Sequence, residues 1–339
     1  MQMIDKTKRN GSIDFLRCLL MFLIVLYHCC WYGPYSKDVR VVGVACWCSF
    51  AVDCFAFISG WYSIRFSVRK VLRFFYFACF ATVAVFLIDP NHNVRFSMGW
   101  YGSSYLALMF FAPLLNAGLD SLYEKNGRRG LFFVWGLFTV VIMMAWLPLR
   151  VIGIDIMPPG YANSSVWTLV YMYVTGRVCS KTGVFQKFHK GMVLGLILLL
   201  EGVAIAWSFL VRDACPFWSG MKAWVYLSPI TILLSVCYFM LFSRVVLPRW
   251  FDAVARFCAP SMFIVYLLHE ATGGLVVRPY LVDAEKALAD FGVAGAVVIT
   301  AALLFVSCLT VDLVRRFVEY GLKKSLNLIV NRRNVGCEK

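Results

Sequence analysis

Apolar runs of membrane-spanning length restrict this chain more than any other feature. The segments 15–32, 71–88, 131–147, 192–210 and 294–311 each carry at most one charged residue. A hydrocarbon core about 30 Å thick is crossed by about 20 helical residues. Lipid offers the backbone no hydrogen bonds, so such segments must satisfy their own N–H and C=O groups as helices. Composition agrees: 61% of residues are hydrophobic and 15% charged, against about half and a quarter in soluble domains.

The net charge of +15 raises the question of nucleic acid as a partner. The pattern excludes it, because Lys and Arg sit at the ends of apolar segments and not in one patch. The aromatic fraction of 17% also fits a bilayer protein, in which Trp and Tyr gather at the interfaces. The thirteen cysteines form no CxxC array, and most, such as Cys18, Cys79, Cys237 and Cys308, fall inside apolar segments. They read as small buried hydrophobes. Cys29, Cys30 and Cys215 leave a disulfide open, without fixing a pairing.

The expected fold is all-α and polytopic: a bundle of about ten transmembrane helices over 13–32, 41–61, 71–89, 98–118, 131–149, 164–180, 191–211, 223–243, 258–273 and 292–312. Turn signals separate them, among them Gly33-Pro34, Asp89-Pro90-Asn91, Asn126-Gly127 and Pro158-Pro159-Gly160. With the N-terminus in the cytoplasm, 25 of the Lys and Arg residues fall inside and 8 outside. The positive-inside rule therefore puts both termini in the cytoplasm, and the expected location is multi-pass in the plasma or inner membrane. The first apolar run follows Lys6, Lys8 and Arg9 but contains Arg17 and His28, so it reads as a retained span and not a cleaved leader. The chain reads as one domain, 1–339, with a cytoplasmic segment 1–12 and a basic cytoplasmic tail 313–339. No loop is long enough for a separate soluble domain, so chemistry is expected within the bundle.

An ionisable group at the bilayer centre costs about 2.5–3.5 kcal/mol on insertion scales, so each one calls for a reason. In the first span, Arg17 and His28 are eleven residues apart. That spacing puts them on one helical face, about 16 Å apart along the axis. Asp14 lies three residues before Arg17 and can pair with it. Asp53 falls inside the second span, which closes with Ser59-Gly60. Arg65, Arg69 and Arg73, with Lys70, form a basic stripe at the start of the third. An anion would be favoured there by the side chains and by free backbone N–H groups. Trp100, Tyr101 and Tyr105 precede Pro113 and Asn116; they suit an interfacial belt or a sugar-stacking wall. Tyr266 and His269 are neighbours on one face at i, i+3, with Glu270 next. Glu201 is a further intramembrane carboxylate with no evident partner in the sequence. Each has a bland reading as well: interfacial anchoring, helix–helix hydrogen bonding or close packing at Gly60.

In their order and spacing these motifs resemble the membrane acyltransferase-3 family, which includes bacterial surface-polysaccharide O-acetyltransferases. The resemblance rests on Ile13-Asp14-x-Leu16-Arg17 leading to His28, on Val52-Asp53-x-Phe55-x-Phe57-x-Ser59-Gly60 and its following basic stretch, on Trp100 to Asn116, and on Tyr266-x-x-His269. It covers nearly the whole chain. The sequence departs from the commoner forms at Ala56, which interrupts an aromatic pair, and at Trp61, which follows Gly60.

The resemblance implies transfer of an acyl group, most often acetyl, from cytoplasmic acetyl-CoA to a hydroxyl of a surface or lipid-linked saccharide. His28 and Arg17, with Asp14, are the expected catalytic group. Arg69, Lys70, Arg73 and Ser59 are the expected donor contacts. Asp53, Trp100, Tyr105, Asn116, Tyr266 and His269 are expected at the acceptor. Membrane lipids are the surrounding partner, and no metal is expected. Imidazole is the side chain suited to proton transfer near neutral pH. His28 either takes the acceptor hydroxyl's proton or carries the acyl group covalently. Two rival readings exist. A transporter of a polar or lipid-linked solute would also bury charge in a helical bundle, although no paired half-repeats are visible. A non-catalytic scaffold would have little reason to keep Asp53, Glu201, His28 and His269 in lipid.

Overall fold

The computed structural model describes residues 9–32, 39–88, 90, 96–146, 166–214, 226–271 and 284–336. Among them every regular element is helical. The helices are α1 (Gly11–Tyr32), α2 (Val39–Cys48), α3 (Ala51–Tyr62), α4 (Val68–Ile88), α5 (Gly99–Trp146) and α6 (Val166–Thr182). They continue as α7 (Lys190–Ala214), α8 (Pro229–Phe242), α9 (Arg249–Cys258), α10 (Met262–Tyr266) and α11 (Ala284–Gly336). Seven helical segments among the described residues are long and apolar enough to cross a membrane.

The expected spans map onto these helices with informative differences. Spans 98–118 and 131–149 lie on one 48-residue helix, α5, broken at Gly127 with φ 61°. That is the position of the Asn126-Gly127 turn signal, where glycine tolerates the left-handed conformation. Span 41–61 is interrupted at Ser49-Phe50, between α2 and α3. The break is satisfied internally, as lipid demands: the Ser235 hydroxyl on α8 donates to the Phe50 carbonyl at 3.0 Å. Spans 164–180 and 223–243 fall on the shorter α6 and α8. The last span continues as helix beyond residue 312, to Gly336. The turn signals near residues 34 and 158, and Cys215, lie outside the described residues.

Burial separates a centre from a lipid face. In the most apolar windows, 67% of α1 and 72% of the α2–α3 segment are buried, against 28% for α4 and 22% for α5 and α7. The outward faces carry exposed Leu72, Phe75, Val83, Phe110, Leu114, Leu137 and Phe317, an apolar surface suited to lipid. Cys79 is exposed on the outer side of α4, contrary to the expectation of burial, whereas Cys29, Cys30, Cys54, Cys237 and Cys308 are buried.

A close backbone approach fixes α3 against α6. A side chain at Gly60 would collide with the Tyr173 carbonyl, and one at Gly176 with the Phe57 carbonyl. Small residues on both sides let the two backbones touch, and dispersion is what holds helices together in lipid. Trp61, one of the two departures from the pattern the sequence resembles, stacks on Phe185 with centroids 5.0 Å apart.

Candidate active site

The eleven-residue phase of α1 has the consequence expected of it. Arg17 and His28 both line one cavity of about 240 Å³, with Met21 and Ile24 between them on the same face. The cavity's remaining wall comes from α3 (Phe55, Ser59), α4 (Phe74), the first turns of α5 (Trp100, Tyr101, Tyr105), Tyr226 before α8, and the α10 region (Phe263, Tyr266). Aromatic rings dominate it. Tyr105 stacks on Phe74 at 5.7 Å with the rings nearly parallel, and Trp100 lies 5.3 Å from Tyr226.

At one end Arg17 is held by Asp14, whose Oδ1 lies 2.9 Å from Arg17 Nη1. The buried carboxylate's other oxygen pairs with Arg9 Nε at 2.5 Å. Asp14 therefore faces two cations, and Arg17 keeps part of its fork for the cavity. At the deeper end His28 Nδ1 lies 3.0 Å from His269 Nε2. His269 is fully buried, and its Nδ1 lies 2.7 Å from the Val265 carbonyl. A carbonyl only accepts, so His269 Nδ1 carries the hydrogen. In the neutral ring Nε2 is then the acceptor. His28 must donate from Nδ1, and its basic lone pair resides on Nε2. Glu270 Oε2 stands 3.5 Å from His28 Nδ1. This is the layout of a general base oriented by a second group.

His269 lies where the helix changes its winding. After α10 the chain makes a π-helical turn over Leu267–Ala271, a local widening common at functional sites.

Ser59 lies in the cavity wall and is tied down on both sides. Its hydroxyl donates to the Phe55 carbonyl at 3.0 Å, so Tyr105, 3.2 Å away, donates to it. Other expected residues stand off the wall. Arg69, Lys70 and Arg73 are exposed on the first turns of α4; Lys70 donates to the Arg65 carbonyl at 3.1 Å, and Arg73 sits over the Phe77 ring. Asp53 is fully buried and faces α8, accepting the Leu227 N–H at 3.2 Å and a hydrogen bond from Thr231. It meets no His or Arg among the described residues. Asn116 closes a ring of hydrogen bonds. Its Nδ2 donates to the Ile64 carbonyl at 3.1 Å, Tyr173 donates to its Oδ1 at 2.8 Å, and the Ile64 N–H donates back to Tyr173 at 3.1 Å.

Asp53 and Asn116 share a task. Ser63 and Leu227, at φ 64° and 63°, are the non-glycine residues in the left-handed region among those described. Each such residue costs on the order of 1–3 kcal/mol unless its surroundings hold it. Asp53 bonds Leu227 directly. Asn116 and Tyr173 bind both polar groups of the peptide residue after Ser63. These corners flank the site: Leu227 follows the cavity residue Tyr226, and Ser63 lies four residues after Ser59. Glu201, without a partner in the sequence reading, accepts from the Tyr238 hydroxyl at 3.2 Å.

The family model for an acyltransferase domain matches residues 10–313. The chain belongs to the acyltransferase 3 family. It is thus an acyltransferase, built as a helical protein with several membrane-length helices, and the match takes in the whole cavity. No solved structure matches the acyltransferase. Sequence reasoning left Phe74, Tyr226 and Phe263 out of the site altogether, and Tyr101 and Glu270 out of its functional set. Tyr101 is the one with a usable signal, one helical turn before Tyr105.

Proposed function

We propose that this acyltransferase moves an acetyl group from acetyl-CoA to a hydroxyl of a cell-surface or lipid-linked saccharide, with His28 as general base. The observation that carries the reading is the tautomer fixed by the His28–His269–Val265 chain. It turns the lone pair of His28 Nε2 into the proton acceptor of a residue that lines the cavity.

Aromatic walls support the acceptor class. Trp100, Tyr101, Tyr105 and Tyr226 offer flat apolar faces with polar edges, which suit a sugar ring's C–H face and its hydroxyls. Arg17 supports a donor with anionic character. The exposed Arg69, Lys70 and Arg73 on α4, with Arg65 just before it, lie near the cavity residue Phe74 in sequence, and suit CoA phosphates outside the cavity, with the thin pantetheine arm entering. About 16 Å of helix separates Arg17 from His28, a length such an arm can span. In this reading the chain is one domain 1–339 with ten crossings, both termini cytoplasmic and a basic tail 313–339, so that Arg17 and the α4 stripe would lie on the donor's side of a plasma or inner membrane.

The test is chemical. Membranes containing the acyltransferase are incubated with acetyl-CoA labelled in the acetyl group, and the glycan fraction is separated from lipid and protein. Base-labile label in the glycan fraction is the expected result. Label confined to protein or to amine-linked products contradicts the reading.

A further inference from the structure

Acyl transfer to a hydroxyl needs a second group besides the base. When the hydroxyl oxygen attacks the thioester carbonyl, its proton passes to His28 Nε2. The carbonyl's π electrons move onto its oxygen. That negative oxygen must be met by hydrogen-bond donors already in place, because in a dry site they do most of the work. Collapse restores the C=O bond and breaks the C–S bond, and the CoA sulfur leaves with the proton held by His28.

Tyr266 has the placement such a donor requires. It lines the same cavity as His28, only 3% of it is exposed, and among the described residues its buried hydroxyl finds no acceptor for its proton. A buried hydroxyl left in this state costs about 1–3 kcal/mol, so its presence calls for a function. The ring is clamped. It meets His269 edge-on at 6.0 Å, Tyr101 edge-on at 5.6 Å and Phe263 at 6.2 Å. Its hydroxyl faces the backbone of Tyr101 and Gly102, in the first turn of α5. Helix geometry leaves first-turn N–H groups without acceptors inside the helix, and the macrodipole makes that end favourable for negative charge.

We propose that Tyr266 is a catalytic residue: its hydroxyl, with the N-terminal turn of α5 behind it, donates to the carbonyl oxygen of the acyl thioester as that oxygen becomes negative. This rests on His28 acting as the base of acyl transfer. It goes beyond that reading in assigning the opposite charge of the transition state to a second helix. The Tyr101 and Phe263 rings pack on the Tyr266 ring, so Tyr266→Phe keeps that packing and removes the hydroxyl that lies between the cavity and the Tyr101 and Gly102 backbone.

The experiment titrates labelled acetyl-CoA into membranes bearing the endogenous glycan, with wild type, Tyr266→Phe and His28→Gln at matched protein levels. The melting temperature of each purified protein is measured in parallel. Loss of one such donor is expected to lower the maximal rate by about 10²–10³-fold. The apparent KM for acetyl-CoA and the melting temperature should stay at wild-type values. Full-rate transfer by Tyr266→Phe overturns this inference alone, as does a rate that falls only in step with melting temperature or KM. Absence of labelled glycan with wild type overturns the reading of the site, and this inference with it.

Discussion

His28 and His269 are 241 residues apart in sequence, yet their ring nitrogens stand 3.0 Å apart in the buried centre of the molecule. The bond runs from His28 Nδ1 to His269 Nε2, so His269 sets which nitrogen of His28 is basic. His269→Leu removes that acceptor and should lower the maximal rate on the order of 10²-fold, the lower range for losing an oriented base. His269→Gln, which still offers an acceptor oxygen, should recover much of the loss. Equal rates for the two variants would leave His269 a packing residue.

The α4 stripe is a separable function. Arg69 and Arg73 are exposed and away from the cavity wall, so Arg69→Ala with Arg73→Ala should raise the apparent KM for acetyl-CoA severalfold while sparing the maximal rate. The effect should shrink at high salt, which screens exposed charges. An unchanged KM at low salt would reduce these residues to topology signals.

The two left-handed corners predict a rescue. Asp53→Leu orphans the Leu227 N–H and should destabilise the fold by about 1–3 kcal/mol. Adding Leu227→Gly relieves the strain at φ 63° and should restore part of the melting temperature. Asn116→Ala should behave likewise at the other corner, with Ser63→Gly as its partner change. Independent losses with no rescue in either pair would mean that the corners are not where these side chains act.

Glu201 marks the limit of the buried-charge argument. Its visible tie is to the Tyr238 hydroxyl, and it is not in the cavity wall. Glu201→Gln keeps an acceptor for Tyr238 and should transfer at the wild-type rate. A collapse in rate at unchanged melting temperature would bring Glu201 into the proton path.

Periodicity made half of the site legible. The eleven-residue interval put Arg17 and His28 on one face of α1, and i, i+3 put Tyr266 beside His269, because helical phase is a local property. Which faces meet is not local. In lipid the buried face of α1 and the exposed face of α4 are equally apolar, so the sequence carries little trace of Phe74 or Phe263 meeting His28's cavity. The π-helical turn at Leu267–Ala271 also breaks the regular phase that the sequence argument uses. Asp53 and Asn116 were recognisable as residues out of place in a membrane. Their partners, Leu227 and Ile64, are backbone groups, which no side-chain pattern announces.

The central claim is that His28 is the base of acyl transfer. The most direct measurement compares incorporation of label from acetyl-CoA into surface glycan by wild type and His28→Ala, inserted at equal levels and with equal melting temperatures. Label in wild type and none above background in His28→Ala is the expected result. Transfer by His28→Ala at the wild-type rate would remove His28 from the chemistry and contradict the account.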